Sequence, residues 1–206
     1  MKQWLKNFSK QFQHPTGFWG HVAGKIMAFT TRSRNQWTLS FLEIQENDRV
    51  LEIGYGPGVG IELCSHQVQQ GQIVGIDISD AMYQQAWRRN RKAIETGKVE
   101  LRIASIEDLP LSEEPFDKIY TVNSVMFWPD QQAAFQKLYA LLTPEGTLAI
   151  TYQPMHKGAT KEDAIHYAER LKMHLEQVGF TDIAIATKDF RPITAACVVA
   201  HKKEST

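Results

Sequence analysis

Cysteine is scarce in this chain. Cys64 and Cys197 are the only two, far apart and outside any CxxC pair or histidine cluster. That excludes a disulfide framework and leaves no zinc-ligand spacing, so two free thiols are expected and no metal. A charge surplus is also missing: Lys+Arg and Asp+Glu both number 23 in 206 residues. Without net positive charge the electrostatic drive for general nucleic-acid binding is weak, and no nucleic-acid partner is expected. No apolar run reaches the roughly 18 residues of a membrane span. Lys2, Lys6 and Lys10 interrupt the N-terminal apolar stretch, so neither a transmembrane helix nor a secretory leader is read and a cytoplasmic location is expected. Repeats, low-complexity tracts and linkers are absent too, and 43% hydrophobic residues suffice for one substantial core.

From residue 49 onward, short β-branched runs alternate with longer segments whose apolar residues fall three or four apart, the rhythm of a parallel α/β sheet. Residues 49–53, 72–77, 99–103, 116–122 and 146–152 read as five strands, with helices near 59–69, 80–95 and 130–142 between them. A fourth helix near 160–178 carries Ala164, Ala168, Leu171, Leu175 and Val178 on one face and ends at Gly179. Two further strands, 181–188 and 193–201, are joined by the four residues Asp189-Phe-Arg-Pro192. So short a link permits a hairpin and no crossover helix. Six parallel strands and one antiparallel strand are the expected sheet.

The first 48 residues differ in kind. They hold eight of the 21 aromatic residues, and Lys2, Lys6, Lys10, Lys25, Arg32 and Arg34 face only Glu43, Glu46 and Asp48. Trp4, Phe8 and Phe12 lie four apart, on one helical face. Trp37, Phe41 and Ile44 form a second stripe, expected to pack on the sheet. Residues 1–48 are therefore expected to be a helical cover integral to the domain formed by 49–206. Phe18 and Trp19 become candidates to touch a substrate beneath that cover, and residues 1–13 allow weak contact with a membrane surface.

The most informative stretch is Val50-Leu-Glu-Ile-Gly-Tyr-Gly-Pro-Gly-Val-Gly60, a strand running into a glycine-rich turn and a helix. Such a turn lets backbone approach a ligand closely. A dinucleotide GxGxxG begun at Gly54 or Gly56 needs glycine at 59 or 61, where the chain has Val59 and Ile61. No lysine follows these glycines, which removes the P-loop. The residues match ExGxGxG instead, with Glu52, Gly54, Gly56 and Gly58.

On this motif and three that follow, the chain resembles the class I methyltransferases that use S-adenosylmethionine (SAM), of the small-molecule type seen in ubiquinone and menaquinone biosynthesis. The second motif is Val74-Gly-Ile-Asp-Ile-Ser79, in which Asp77 can accept both ribose hydroxyls. The third is Ala104-Ser-Ile-Glu-Asp-Leu-Pro110, similar to the segment beside the adenine. The fourth is Phe116 to Ser124, followed by Phe127-Trp-Pro-Asp130. The resemblance implies a Rossmann-like fold, a seven-stranded mostly parallel sheet with helices on both faces. It also implies SAM as cofactor, S-adenosylhomocysteine (SAH) as product, and cofactor contacts from Glu52, Gly54, Tyr55, Gly56, Gly58, Asp77, Ile78, Met82, Ser105, Ile106 and Asn123. Where the family usually offers Asp to the adenine amino group this chain has Ser105, so adenine recognition shifts to the Ser105 hydroxyl, the Ile106 amide and the apolar Ile78 and Met82.

A sulfonium methyl is already electrophilic, so alignment and water exclusion can supply most of the acceleration and no catalytic triad is needed. A hydroxyl or carbon acid would need a base, for which His21 and His156 are the candidates. Trp128 and Tyr152, after the fourth and at the end of the fifth strand, join Phe18 and Trp19 as candidate substrate contacts, and Trp19, Tyr55 and Trp128 offer aromatic faces to a cation. Asn123-Ser-Val-Met126 is not an Asn-Pro-Pro-Tyr loop and there is no Pro-Cys pair, which disfavours DNA bases and protein Gln as acceptors. Thr151 to His156 lacks the clustered acids of a metal-dependent catechol site. A small apolar or aromatic acceptor remains. The rival reading is a SAM-binding module without catalysis, acting as sensor or partner subunit. The basic run Arg88 to Lys92 is expected to be a solvated helix face.

Overall fold

The computed structural model describes residues 31–204. Fourteen elements are seen among these residues. Helix α1 occupies residues 31–39. Then follow β1 (Arg49–Ile53), α2 (Val59–Ser65), β2 (Gln72–Asp77), α3 (Asp80–Glu95), β3 (Val99–Ile103), β4 (Phe116–Val122), α4 (Gln131–Leu141), β5 (Leu142–Tyr152), α5 (Lys161–Val178), β6 (Thr181–Asp189) and β7 (Thr194–His201). Single helical turns at Ile106–Asp108 and Val125–Phe127 complete the count.

The central strands are buried on both faces, which is why they read as continuous apolar runs instead of alternating ones. One face gathers Leu51, Ile53, Ile119, Leu148 and Ile150 under α4 and α5, with Phe135, Leu138 and Leu171. The other gathers Val50, Tyr120, Ala149 and Val199 with Leu39, Leu42, Val59 and Ile61. Local signals stop and start the helices. Ser79 and Asp130 cap α3 and α4 by accepting amides three residues on. Thr160 and Asp163 form a reciprocal capping box on α5, and Gly179 ends it at φ 108°.

The strand order is β3-β2-β1-β4-β5-β7-β6. β1 to β5 are mutually parallel, β7 is antiparallel to both β5 and β6, and the expected six-plus-one arrangement is observed. Chain order reverses between β1 and β4, and ligands of open α/β sheets collect at the carboxyl ends beside such a reversal. Because β7 runs backward from Thr194, the turn before it lies at that same end, next to Tyr152 of β5, which pairs with Ala196.

Some boundaries move. The helix expected over 59–69 ends at Ser65, because Val68 is fully buried and the amides of Gln69, Gln70 and Gly71 all converge on the Glu46 carbonyl. Regular pairing of β5 with β4 begins at Thr147, after an irregular stretch from Leu142. In the 37–44 stripe the deepest side chains are Leu39 and Leu42, with Trp37, Phe41 and Ile44 only partly buried against them. No helix among the described residues is long and apolar enough to cross a membrane.

Phe135 is fully buried under α5 and meets the Trp128 ring edge to face at 5.8 Å. Phe135→Ala is expected to cost about 3–5 kcal/mol in urea unfolding, and a loss below 1 kcal/mol would show that this face is not closely packed.

Candidate active site

The glycine turn after β1 is set by sterics. Gly54, Gly56 and Gly58 all have φ between 50° and 79°, where a Cβ is disfavoured. Two of them are closed off as well. A Cβ on Gly54 would sit 2.5 Å from Ser124 Cβ, and one on Gly58 would sit 2.8 Å from Ala86 Cβ. Gly56 is different, since a Cβ there would meet nothing within 4 Å. Its exposed backbone faces open space at the sheet's carboxyl end.

Asp77, at the end of β2, holds the turn in place. Its Oδ2 accepts the Gly56 amide at 2.9 Å and its Oδ1 the Ser79 amide at 2.9 Å. Burial pushes its carboxyl upward from the usual range, and the amides of Gly56, Ser79 and Ile78 pull it back. A carboxylate offers about four acceptor sites, so capacity remains for hydroxyls of a ligand. The turn is also gripped from α3. Asn90 is buried and donates to the Gly58 carbonyl at 3.0 Å, and Arg89 Nε donates to the Pro57 carbonyl at 2.9 Å. The basic run expected to be a solvated face thus sends two members to the turn, while Arg91 pairs with Glu95 at 2.7 Å. A mid-helix Asn among charges was the only signal in the sequence.

Two motif residues act from beneath. Glu52 is 2% exposed, accepts the Tyr120 hydroxyl at 2.8 Å, and has Gly60 pressed against its carboxyl group. Desolvation pushes its pKa up to about 8, opposed chiefly by the Tyr120 bond. Tyr55 is also core: its ring lies where a Cβ on Gly75 would be 2.9 Å away, and its hydroxyl reaches the Arg102 carbonyl at 3.4 Å. The expectation that the Tyr55 ring faces a cation is corrected by this burial, which leaves only its backbone to the turn.

Beside Asp77, Ile78 is 56% exposed and Ile103 51% exposed. Ile103 pairs with Asp77 in the sheet, and the sequence reading missed it because a strand-end isoleucine looks like core. Met82 is half-buried and Ile106 buried. Ser105 gives both its amide and its hydroxyl to Asp108 Oδ2 at 2.8 Å, so its hydroxyl proton serves the local turn and only its lone pairs face outward.

Asn123 stands at φ 56° after β4. Its amide donates to the Thr151 carbonyl at 2.9 Å and its Oδ1 accepts the Gln153 amide at 2.7 Å. It straps β4 to β5 at the reversal. Gln153, missed by sequence reasoning, also accepts from Arg34 of α1 and donates to the Ile193 carbonyl. Beyond it lies a recess of about 190 Å³ lined by Pro154, Met155, His156, Ala159, Pro192 and Ile193, with Gly158. His156 Nε2 is 3.6 Å from Asp163 Oδ2. On the opposite face of the sheet Tyr152 stacks on Tyr167 at 4.1 Å, and Trp128 packs on Phe135. Phe18, Trp19 and His21 lie outside the described residues, as do Trp4, Phe8 and Phe12. Among the described residues no group of three His, Cys, Asp or Glu side chains can hold a metal ion.

Residues 51–150 match the family model described as a methyltransferase domain. Over 181 residues the chain is 34% identical to the uncharacterized methyltransferase YdaC of Bacillus subtilis, spanning 88% of this chain and 98% of that one. The chain belongs to the class I SAM-dependent methyltransferases. Its fold superposes on the N-methyltransferase NodS of Bradyrhizobium japonicum in complex with SAH, with TM-score 0.69 at 16% identity, over 85% of this chain and 88% of that one. Likeness to the ubiquinone/menaquinone biosynthesis C-methyltransferase of Geotalea daltonii is distant, 24% identity over 61% of this chain and 54% of that one.

The methyltransferase's own geometry suits SAM. Gly56 leaves room for close backbone approach, Asp77 keeps acceptor capacity, and the exposed Ile78 and Ile103 offer apolar surface beside it.

Gly56→Ala is expected to weaken SAH binding at least about tenfold in calorimetry while costing only the ~1–2 kcal/mol of a left-handed Cβ. Gly58→Ala should cost more stability, since it adds the collision with α3. Loss of binding with Gly58→Ala alone would contradict the assignment of Gly56 to the ligand side. The Glu52 pKa, raised from 4.5 to about 8, carries a second expectation. A carboxyl whose folded value is raised contributes stability below its unfolded pKa and loses it as pH rises through the folded one. Stability should therefore fall from about pH 4.5 to 8, and Glu52→Gln should flatten that slope in urea titrations at stepped pH.

Proposed function

We propose that this methyltransferase moves the SAM methyl group onto a small, largely apolar or aromatic acceptor by in-line displacement. The observation that carries the reading is the build of the carboxyl end. Among the described residues, the cofactor elements on β2, β1 and β4 are joined at this end only by the β5 loop and the β6–β7 turn, which offer little surface for a macromolecular substrate. The recess of about 190 Å³ is smaller than the ~300–1,000 Å³ that houses a drug-sized ligand, which favours an acceptor of few atoms.

Bound SAM supplies an activated methyl group. The residues of the chain then orient and dry the site. Asp77 and the backbone at Gly56 fix the nucleoside end, while the Asn123 strap keeps the ends of β4 and β5 at constant spacing beneath the methionine end. With proton removal required for a hydroxyl or carbon acid, the described residues favour His156, which borders the recess and stands 3.6 Å from Asp163 Oδ2. His156→Gln is expected to lower kcat about 10²–10⁴-fold for such acceptors and to leave transfer to a neutral amine unchanged.

The test is methyl transfer from labelled SAM by the full chain to separate sets of phenols, amines, thiols and carbon acids. Turnover with one class supports the reading. SAH binding without turnover on any of them favours the sensor or partner-subunit alternative.

A further inference from the structure

Arginines in this fold are paired wherever their guanidinium leaves water. Arg32 meets Glu62 at 3.0 Å, Arg49 meets Glu113 at 2.8 Å, and Arg102 meets Glu100 and Glu113 at 2.6 Å. Arg89 and Arg91 also have carboxylates, while Arg88, Arg170 and Arg191 are exposed to solvent. Arg34 is the exception. It is half-buried, and the partners of its guanidinium are neutral: Gln153 Oε1, and Thr31 Oγ1 at 3.4 Å. Its Nε is buried without a partner. No carboxylate among the described residues reaches it, and neither residues 1–30 nor 205–206 contain an Asp or Glu. A planar fork of five donors with no Asp or Glu paired to it among the described residues is suited to a bidentate oxyanion supplied from outside. Burial also lowers its pKa from the ordinary arginine value, in keeping with a cation that lacks compensation.

Its place in the sheet says which oxyanion. The cofactor elements run from Asp77 on β2 through Gly56 after β1 to Asn123 after β4. Gln153 takes the next position, since its amide is bonded to Asn123 Oδ1. Its side chain joins Arg34 to the Ile193 carbonyl before β7. With strands about 4.8 Å apart, Gln153 after β5 stands one strand past Asn123 after β4, and Arg34 is bonded to it there. Pro154, adjacent to Gln153, and Ile193, bonded to it, both line the apolar recess.

We propose that Arg34 anchors the anionic head of the methyl acceptor, whose apolar body enters the recess between residues 154–159 and 192–193. The substrate class is then a small organic oxyanion, a carboxylate or a phosphate monoester. This rests on the small-molecule transfer reading above and narrows it from an apolar acceptor to one with a charged end.

The test uses the full chain saturated with SAH and follows its Tm with 4-hydroxybenzoate, phenyl phosphate and the neutral 4-hydroxybenzamide. An anion at ten times its Kd should raise Tm by about 3 °C, with the amide giving less than a third of that. A response to the carboxylate alone or to the phosphate alone assigns the head group. Arg34→Gln should abolish the anion response and keep the SAH response, and Arg34→Lys should retain part of it. Equal shifts from acid and amide, or no shift from either anion, overturn the proposal. Loss of the SAH response in Arg34→Gln also overturns it, because the guanidinium then serves the cofactor. The comparison of acid with amide needs no variant, so a poorly folding Arg34→Gln leaves the outcome decidable. Anion binding through Arg34 without methyl transfer to any small acceptor would sink the transfer reading and not the oxyanion site.

Discussion

Everything at the carboxyl end of this sheet depends on one carboxylate accepting two backbone amides. Asp77 draws the Gly56 amide to one oxygen and the Ser79 amide to the other, so the turn after β1 and the start of α3 share one anchor. The turn would otherwise pay heavily in backbone entropy, with three glycines in a left-handed conformation within five residues. Asn90, Arg89 and Ser124 close around two of those glycines and leave the third open. Rigidity and access are thereby separated along a few residues: Gly54 and Gly58 are closed off by protein, while Gly56 is tied only through its amide to Asp77 and its Cα side stays open.

The distribution of charge follows a similar division. Glu52 is buried where only neutral or hydroxyl partners reach it, and it stays protonated through much of the physiological range. Tyr120 and Gly60 seal it, so it supports the turn as a hydrogen-bonding wedge under the helix start. Arg34, on the same face of the sheet but at its open end, keeps its charge and has no carboxylate to spend it on. One group has surrendered its charge to the core, and the other holds charge toward the side where substrate arrives.

Most of the sheet was legible in the sequence because period and punctuation agree: the β-branched runs, the apolar helix stripes, Gly179, and the short 189–192 link all point to the same topology. The glycine motif and Asp77 were legible for a related reason, since spacing alone separates this turn from a dinucleotide turn. What escaped was tertiary. Asn90 and Arg89 sit in a run that looks solvated, and their contacts with carbonyls of the turn come from residues 32 positions away. Gln153 gives no pattern signal, yet it links three elements through its amide and side chain. Tyr55 read as a face toward the ligand because it lies between glycines, whereas the left-handed Gly54 after β1 is followed by a Tyr55 ring packed into the core against Gly75. Tyr167, under Tyr152, was hidden among helix residues whose buried face is marked by alanine and leucine.

The central claim is that the cofactor lies across β2, β1 and β4, bounded by Asp77, Gly56 and Asn123. Titrating SAH into uniformly ¹⁵N-labelled full-length protein tests it most directly, through the backbone amide shifts. The largest changes should fall on residues 54–58, 77–79, 103–106 and 123–124, with the 154–159 loop responding weakly until an acceptor is added. Changes centred on 154–159 and 192–193, with the glycine turn and Asp77 silent, would contradict the account.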